Sequence, residues 1–133
     1  MSKFKLIVLE VGSLGTNCYL VAPAGGGECL VVDPGGDAEL IAARLKKEKF
    51  TPALVLITHN HFDHIGGLAD LQRAYPGLKA AAHPECISRM VAPEDNLSIM
   101  GETAMTAPEA ERELSDGEVF TAAGLEVRAR LLE

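Results

Sequence analysis

The apolar run Leu54–Ile57 and the residues directly after it constrain this chain more than any other stretch. Consecutive aliphatic residues without a polar break read as a strand buried on both faces, the kind found in parallel sheets. The run passes directly into Thr58-His59-Asn60-His61-Phe62-Asp63-His64 and then a glycine pair, Gly66-Gly67. Three of the four histidines and one carboxylate therefore fall within six residues. Imidazole nitrogens with carboxylate oxygens are donors that zinc takes, and also iron or manganese. Alternation along an extended strand end points His59 and His61 the same way. A helix opening near Asp63 would project Asp63 and His64 from its first turn, so that four donors converge at the mouth of the sheet. Taken singly, each residue also has a structural reading: a strand-end histidine is commonly just satisfied, and Asp63 alone would serve as a helix N-cap. A structural role does not call for three imidazoles so close together.

The flanking sequence predicts an α+β chain. Phe4–Val11 and Asn17–Ala22 read as strands around a turn at Gly12–Gly15, and Pro23-Ala24-Gly25-Gly26-Gly27 as a hairpin loop. Cys29–Val32 is a third, buried strand, stopped by Asp33-Pro34-Gly35-Gly36; short turns make these three an antiparallel meander. Asp37 is placed as N-cap of a helix over Ala38–Lys49, with Leu40, Ile41 and Leu45 on its apolar side and Lys46-Lys47-Glu48-Lys49 as a solvated last turn. A second helix is expected from about Asp63 to Tyr75, with Gly66 and Gly67 inside it. Glycine costs ~1 kcal/mol there relative to alanine, so close approach of the helix backbone to the strand tips would be its reason. Pro76-Gly77 ends that helix, Lys79–Ala82 forms a small strand, and His83-Pro84-Glu85 leads into a short helix through about Val91. The stretch 93–112 lacks a period and reads as a long loop. It either lines a substrate mouth or uses Met100 and Met105 to cap the core. Val119–Thr121 and Leu125–Leu131 close the chain as strands joined through Ala122-Ala123-Gly124.

Thr58-His59-x-His61-x-Asp63-His64 resembles the signature of the metallo-β-lactamase-fold hydrolases. Gly15–Val21 and Val31–Gly36, upstream and in order, are similar to the glyoxalase II-like branch, which hydrolyses thioesters such as hydroxyacylglutathione. The resemblance runs from about residue 4 to the end. It implies the N-terminal half of an αβ/βα sandwich, a mixed sheet with helices on one face, as a single partial domain over residues 1–133. It implies further that His59 and His61 hold one divalent ion and Asp63 and His64 a second, zinc first and iron or manganese as alternatives. Asp63 would also orient the attacking water, and Thr58 would support the loop. A bound ion would bring the pKa of its water toward ~7 and stabilise the developing oxyanion.

Composition narrows the partners. With 12 basic against 19 acidic residues, net −7, the chain lacks the basic footprint that nucleic acid or an anionic membrane requires. A small-molecule thioester is the expected substrate, and nucleic-acid hydrolysis a minor alternative. Leu6–Leu9 is too short for a secretory h-region, and no segment approaches the ~20 apolar residues that cross a bilayer, so the expected location is the cytoplasm. Cys18, Cys29 and Cys86, an odd number without C-x-x-C spacing, read as reduced and mostly buried; Cys18 as a nucleophile is the competing assignment.

The resemblance also predicts donors that this sequence does not hold. A Gly-His turn, a bridging aspartate and a last histidine would be expected in a second half. His83 matches a position that is not a ligand. Two donors per ion fall short of the roughly four, water included, that zinc takes. The expected explanations are a piece of a longer enzyme, or a natural half whose open sheet face is covered in a homo-oligomer. Three functions are compatible with these residues: a thioesterase of glyoxalase II type, an iron-dependent persulfide dioxygenase, and a half-domain that binds metal without catalysis.

Overall fold

In the computed structural model the described residues are 4–12, 15–58, 66–82, 112–113 and 117–128. Six strands form one sheet in chain order: β1 Phe4–Val11, β2 Thr16–Pro23, β3 Glu28–Val32, β4 Thr51–Leu56, β5 Ala80–Ala82 and β6 Arg112–Glu113. β1, β2 and β3 run antiparallel, and β3 to β6 run parallel. Two helices, α1 Ala38–Glu48 and α2 Leu68–Ala74, and a separate hairpin of β7 Val119–Ala122 and β8 Leu125–Arg128 complete the described elements.

The meander and the parallel turn-over at β3 match the sequence expectation for a physical reason. Tight glycine turns return a strand beside its predecessor, whereas a parallel neighbour needs a crossover, supplied by α1 and then α2. Pro52 sits inside β4, where it has no N–H for the ladder. The register therefore slips, Cys29 facing Pro52 but Leu30 facing Leu54, so that Ala53 is the extra residue of a bulge.

Both helices pack on one face of the sheet. Ile7, Leu9, Val11, Cys18, Leu20, Val31, Val55 and Ile57 meet Ile41 and Leu45 of α1 and Leu68 and Leu71 of α2 in one cluster. Leu40, expected on the apolar side of α1, is 48% exposed, because the buried stripe runs through Ala38, Ile41 and Leu45 instead. The Lys5 ammonium reaches Glu48 at 2.7 Å and lies 5.8 Å from the Phe50 ring centre, tying the edge strand to the end of α1.

The opposite face was expected to lie open, and it does so only in part. The β7–β8 hairpin turns through Ala123 and Gly124, both with positive φ (52° and 73°), the pairing a two-residue I′ turn needs. It lays Phe120 and Ala123 over Leu30, Leu54 and Ala81. Over β1 the same face stays uncovered by described residues, with Phe4, Leu6 and Val8 each about half exposed.

Other expectations shift. Gly66 and Gly67 precede the second helix rather than lying inside it: Gly67 is the N-cap residue and α2 begins at Leu68. β6 occupies the end of the stretch assigned to a loop; a two-residue strand carries no period to detect. The predicted helix after His83 and the bulk of the 93–112 loop lie outside the described residues. Among the described residues no helix is long and apolar enough to cross a membrane.

Phe120→Ala should lower unfolding stability by about 3 kcal/mol, as large-to-small changes in a core do, read from urea denaturation. The amides of β7 and β8 should then exchange faster than those of β2 and β3. Equal loss of protection in both regions would show that the hairpin is not a separately held layer.

Candidate functional site

His59, His61, Asp63 and His64, the predicted metal donors, lie outside the described residues, as does His83. Among the described residues no three His, Cys, Asp or Glu side chains gather as a metal-binding set. The frame on either side of the donors is described, and it is built from one loop.

That loop, Asp33–Gly36, comes directly after β3. Asp33 is 3% exposed and adopts a left-handed backbone (φ 54°), a conformation aspartate tolerates better than most residues. Its N–H donates to the Leu56 carbonyl at 2.9 Å, continuing the parallel ladder past the end of the strand. Its carboxylate accepts from the Thr58 N–H at 2.7 Å and from the Thr58 hydroxyl. A buried carboxylate is tolerated only when such donors replace water. Both of its oxygens here serve the residue immediately before His59. The supporting role expected of Thr58 thus has a partner that sequence reasoning missed. In the sequence Asp33 reads as a strand stop and as part of the Val31–Gly36 match, with no role at the site. Its signal was a carboxylate closing a fully apolar strand next to the strand that carries the motif.

Further contacts hold the loop itself. The Gly35 N–H donates to the Asp33 carbonyl at 2.8 Å, turning the chain at the buried Pro34. Asp37 is the N-cap residue of α1 as expected, but not through its side chain. The α1 amides of Leu40 and Ile41 donate to its main-chain carbonyl, while its side chain makes no cap and accepts from the Gly12 N–H at 3.0 Å. The left-handed backbone of Asp37 (φ 50°) goes with that reach across to the β1–β2 turn. On the far side, the Gly67 N–H donates to the Pro34 carbonyl at 2.7 Å.

Cys18 and Cys29 are free thiols buried on the helix-packed side. Burial pushes the Cys18 thiol up to about 12, with the Asp33 charge adding to it, and burial pushes Cys29 up to about 12 as well. A thiol kept neutral is a poor nucleophile, which weighs against the alternative assignment of Cys18.

The family is settled by a profile of the metallo-β-lactamase superfamily that matches residues 11–129. The chain belongs to the metallo-β-lactamase superfamily. Within it, the chain is 40% identical over 78 residues to a hydroxyacylglutathione hydrolase of Yersinia enterocolitica, covering 56% of this chain and 31% of that one. A second hydroxyacylglutathione hydrolase, of Photobacterium profundum, is 36% identical over 104 residues, covering 75% of this chain and 41% of its own length. The chain thus spans less than half the length of these curated relatives. Among solved structures, the B3 metallo-β-lactamase BLEG-1 superposes with a TM-score of 0.84 at 26% identity, covering 93% of this chain and 59% of that one. The superfamily fold is therefore present here, in the described residues, as a mixed sheet with two helices on one face, an N-terminal half-domain.

Asp33→Ala should cost about 3 kcal/mol of unfolding stability, since two hydrogen bonds to a charged acceptor are lost. Urea melts at neutral pH check this, and a loss below about 1 kcal/mol would contradict the assigned role. Separately, the buried thiols make the fold weaker in alkali. Unfolded cysteine ionises near 9.0 whereas Cys18 and Cys29 hold their protons to about 12, so stability should fall as pH rises through that window. Thermal melts between pH 8 and pH 10.5 should show a shallower fall for the Cys18→Ala/Cys29→Ala double variant than for the parent.

Proposed function

We propose that this chain is the metal-holding part of a hydrolase that cleaves thioesters of the hydroxyacylglutathione type. One observation carries the reading. Two residues past the end of β4, and directly before His59-x-His61-x-Asp63-His64, Thr58 has its N–H and hydroxyl both held by a buried carboxylate. A strand end fixed in this way suits donors that must keep a coordination geometry. The 40% identity to a hydroxyacylglutathione hydrolase favours the thioester over other acyl compounds.

The chemistry of the donor set fits a divalent ion: three imidazoles and a carboxylate suit zinc, iron or manganese. His59, His61, Asp63 and His64 would hold it. When bound, such an ion provides a water acidic enough to attack a carbonyl at neutral pH. Asp63 would orient that water, and Asp33 would keep Thr58, and so the backbone entering His59, in place. Four donors do not fill two sites, so the set is completed from outside these residues. Zinc is the proposed metal. The rival iron reading draws support from a protein of 29% identity crystallised in a di-iron-bound form, TM-score 0.69, covering 84% of this chain and 55% of that one.

The test is hydrolysis of S-lactoylglutathione by the chain with added Zn2+, alongside its metal content. Turnover above that of free zinc, abolished together with metal retention in the His59→Ala/Asp63→Ala variant, is the expected result. Metal retention without turnover in the parent would favour a non-catalytic half-domain. Purification with iron and no response to zinc would favour the iron enzyme.

A further inference from the structure

Gly67 lies where the chain leaves the segment 59–65, as Thr58 lies where it enters. Its φ of −97° is open to any residue, so backbone freedom does not explain a glycine there. Space does. A Cβ at Gly67 would stand 3.0 Å from the Pro34 carbonyl oxygen, 3.1 Å from the Gly36 carbonyl oxygen and 3.2 Å from the Gly36 nitrogen. All three are main-chain atoms of the loop that holds Thr58. That loop is itself backed closely by the β1–β2 turn, where a Cβ added at Gly36 would lie 2.7 Å from the Gly12 Cα. The Gly67 N–H closes the contact on the Pro34 carbonyl at 2.7 Å.

We infer that Gly67 is a positioning residue for the metal donors. The loop Asp33–Gly36 grips both ends of the donor segment, Thr58 through the Asp33 carboxylate and Gly67 through the Pro34 carbonyl and bare backbone contact. The inference rests on the proposed metal role of His59 to His64. Relief of contacts near 3.0 Å needs a shift of a few tenths of an ångström. That is as large as the ±0.2 Å within which metal–donor distances are held. A methyl group at position 67 would therefore shift the point at which the chain leaves the donor segment.

Binding of Co2+ alone, followed by its visible d–d absorption, tests this in the intact chain. Gly67→Ala should bind Co2+ about 10-fold more weakly, the lower end of what loss of a supporting contact costs, with an altered band shape. Two controls should keep the parent spectrum and affinity. They are Gly25→Ala, where a Cβ meets nothing within 4 Å, and Ile41→Val, a core change in α1 that weakens the fold. Parent-like Co2+ binding by Gly67→Ala, or an equal loss in Ile41→Val, overturns the inference while leaving the metal reading intact. Failure of the parent to bind Co2+ overturns the metal reading and the inference with it. Should Gly67→Ala not fold, amide exchange in the unmodified chain decides. Zn2+ should slow the Gly67 amide, because coupling between latch and donors is reciprocal. Binding of Zn2+ with unchanged Gly67 exchange would overturn it.

Discussion

The buried carboxylate of Asp33 is the interaction on which the rest of this half-domain turns. It follows β3 beside the end of β4, 3% exposed, and Thr58 supplies donors to both of its oxygens in place of water. The same requirement works in reverse. The backbone at Thr58 cannot drift without breaking two hydrogen bonds to a buried carboxylate, so the residue before His59 is held by those bonds as well as by packing. A site that must hold an ion gains from such a fixed approach, since metal donors tolerate little displacement.

Around that joint the two sheet faces divide the work. One carries α1 and α2 on a continuous apolar layer and gives the chain its core. Among the described residues the other receives the β7–β8 hairpin over its centre, while Phe4, Leu6 and Val8 of β1 stay half exposed. The helix-packed face supplies the core, and the loop after β3 holds Thr58 and Gly67 at the two sides of the candidate donor segment. This arrangement agrees with a chain that matches solved superfamily members over nearly its whole length and covers 59% of one of them.

Much of this was legible in the sequence. The glycine turns forced an antiparallel meander, and the unbroken aliphatic run Leu54–Ile57 could only be a strand flanked by parallel neighbours. Local signals failed where tertiary contact decided the outcome. Gly66-Gly67 continue a plausible helical stretch on paper, yet the chain begins its helix after them because Gly67 is pressed on the Pro34–Gly36 backbone. Asp37 has the right identity for a cap, but its side chain serves Gly12 instead. The role of Asp33 was invisible for the same reason: its partner lies 25 residues away. Residue type and spacing single out His59, His61, Asp63 and His64 as candidate donors, whereas the loop that holds Thr58 and Gly67 on either side of them shows only in the fold.

Amide exchange at Thr58 tests most directly whether the Asp33 carboxylate anchors the entry to the donor segment. Thr58 is an exposed residue at a strand end, a place where amides ordinarily exchange quickly. With Asp33 holding it, its N–H should instead be protected to a degree comparable with Val55 and Ile57. Asp33→Asn should sharply reduce that protection while the latter two keep theirs. A Thr58 amide that exchanges like those of the exposed Ala24–Gly25 turn in the parent protein would contradict the anchor.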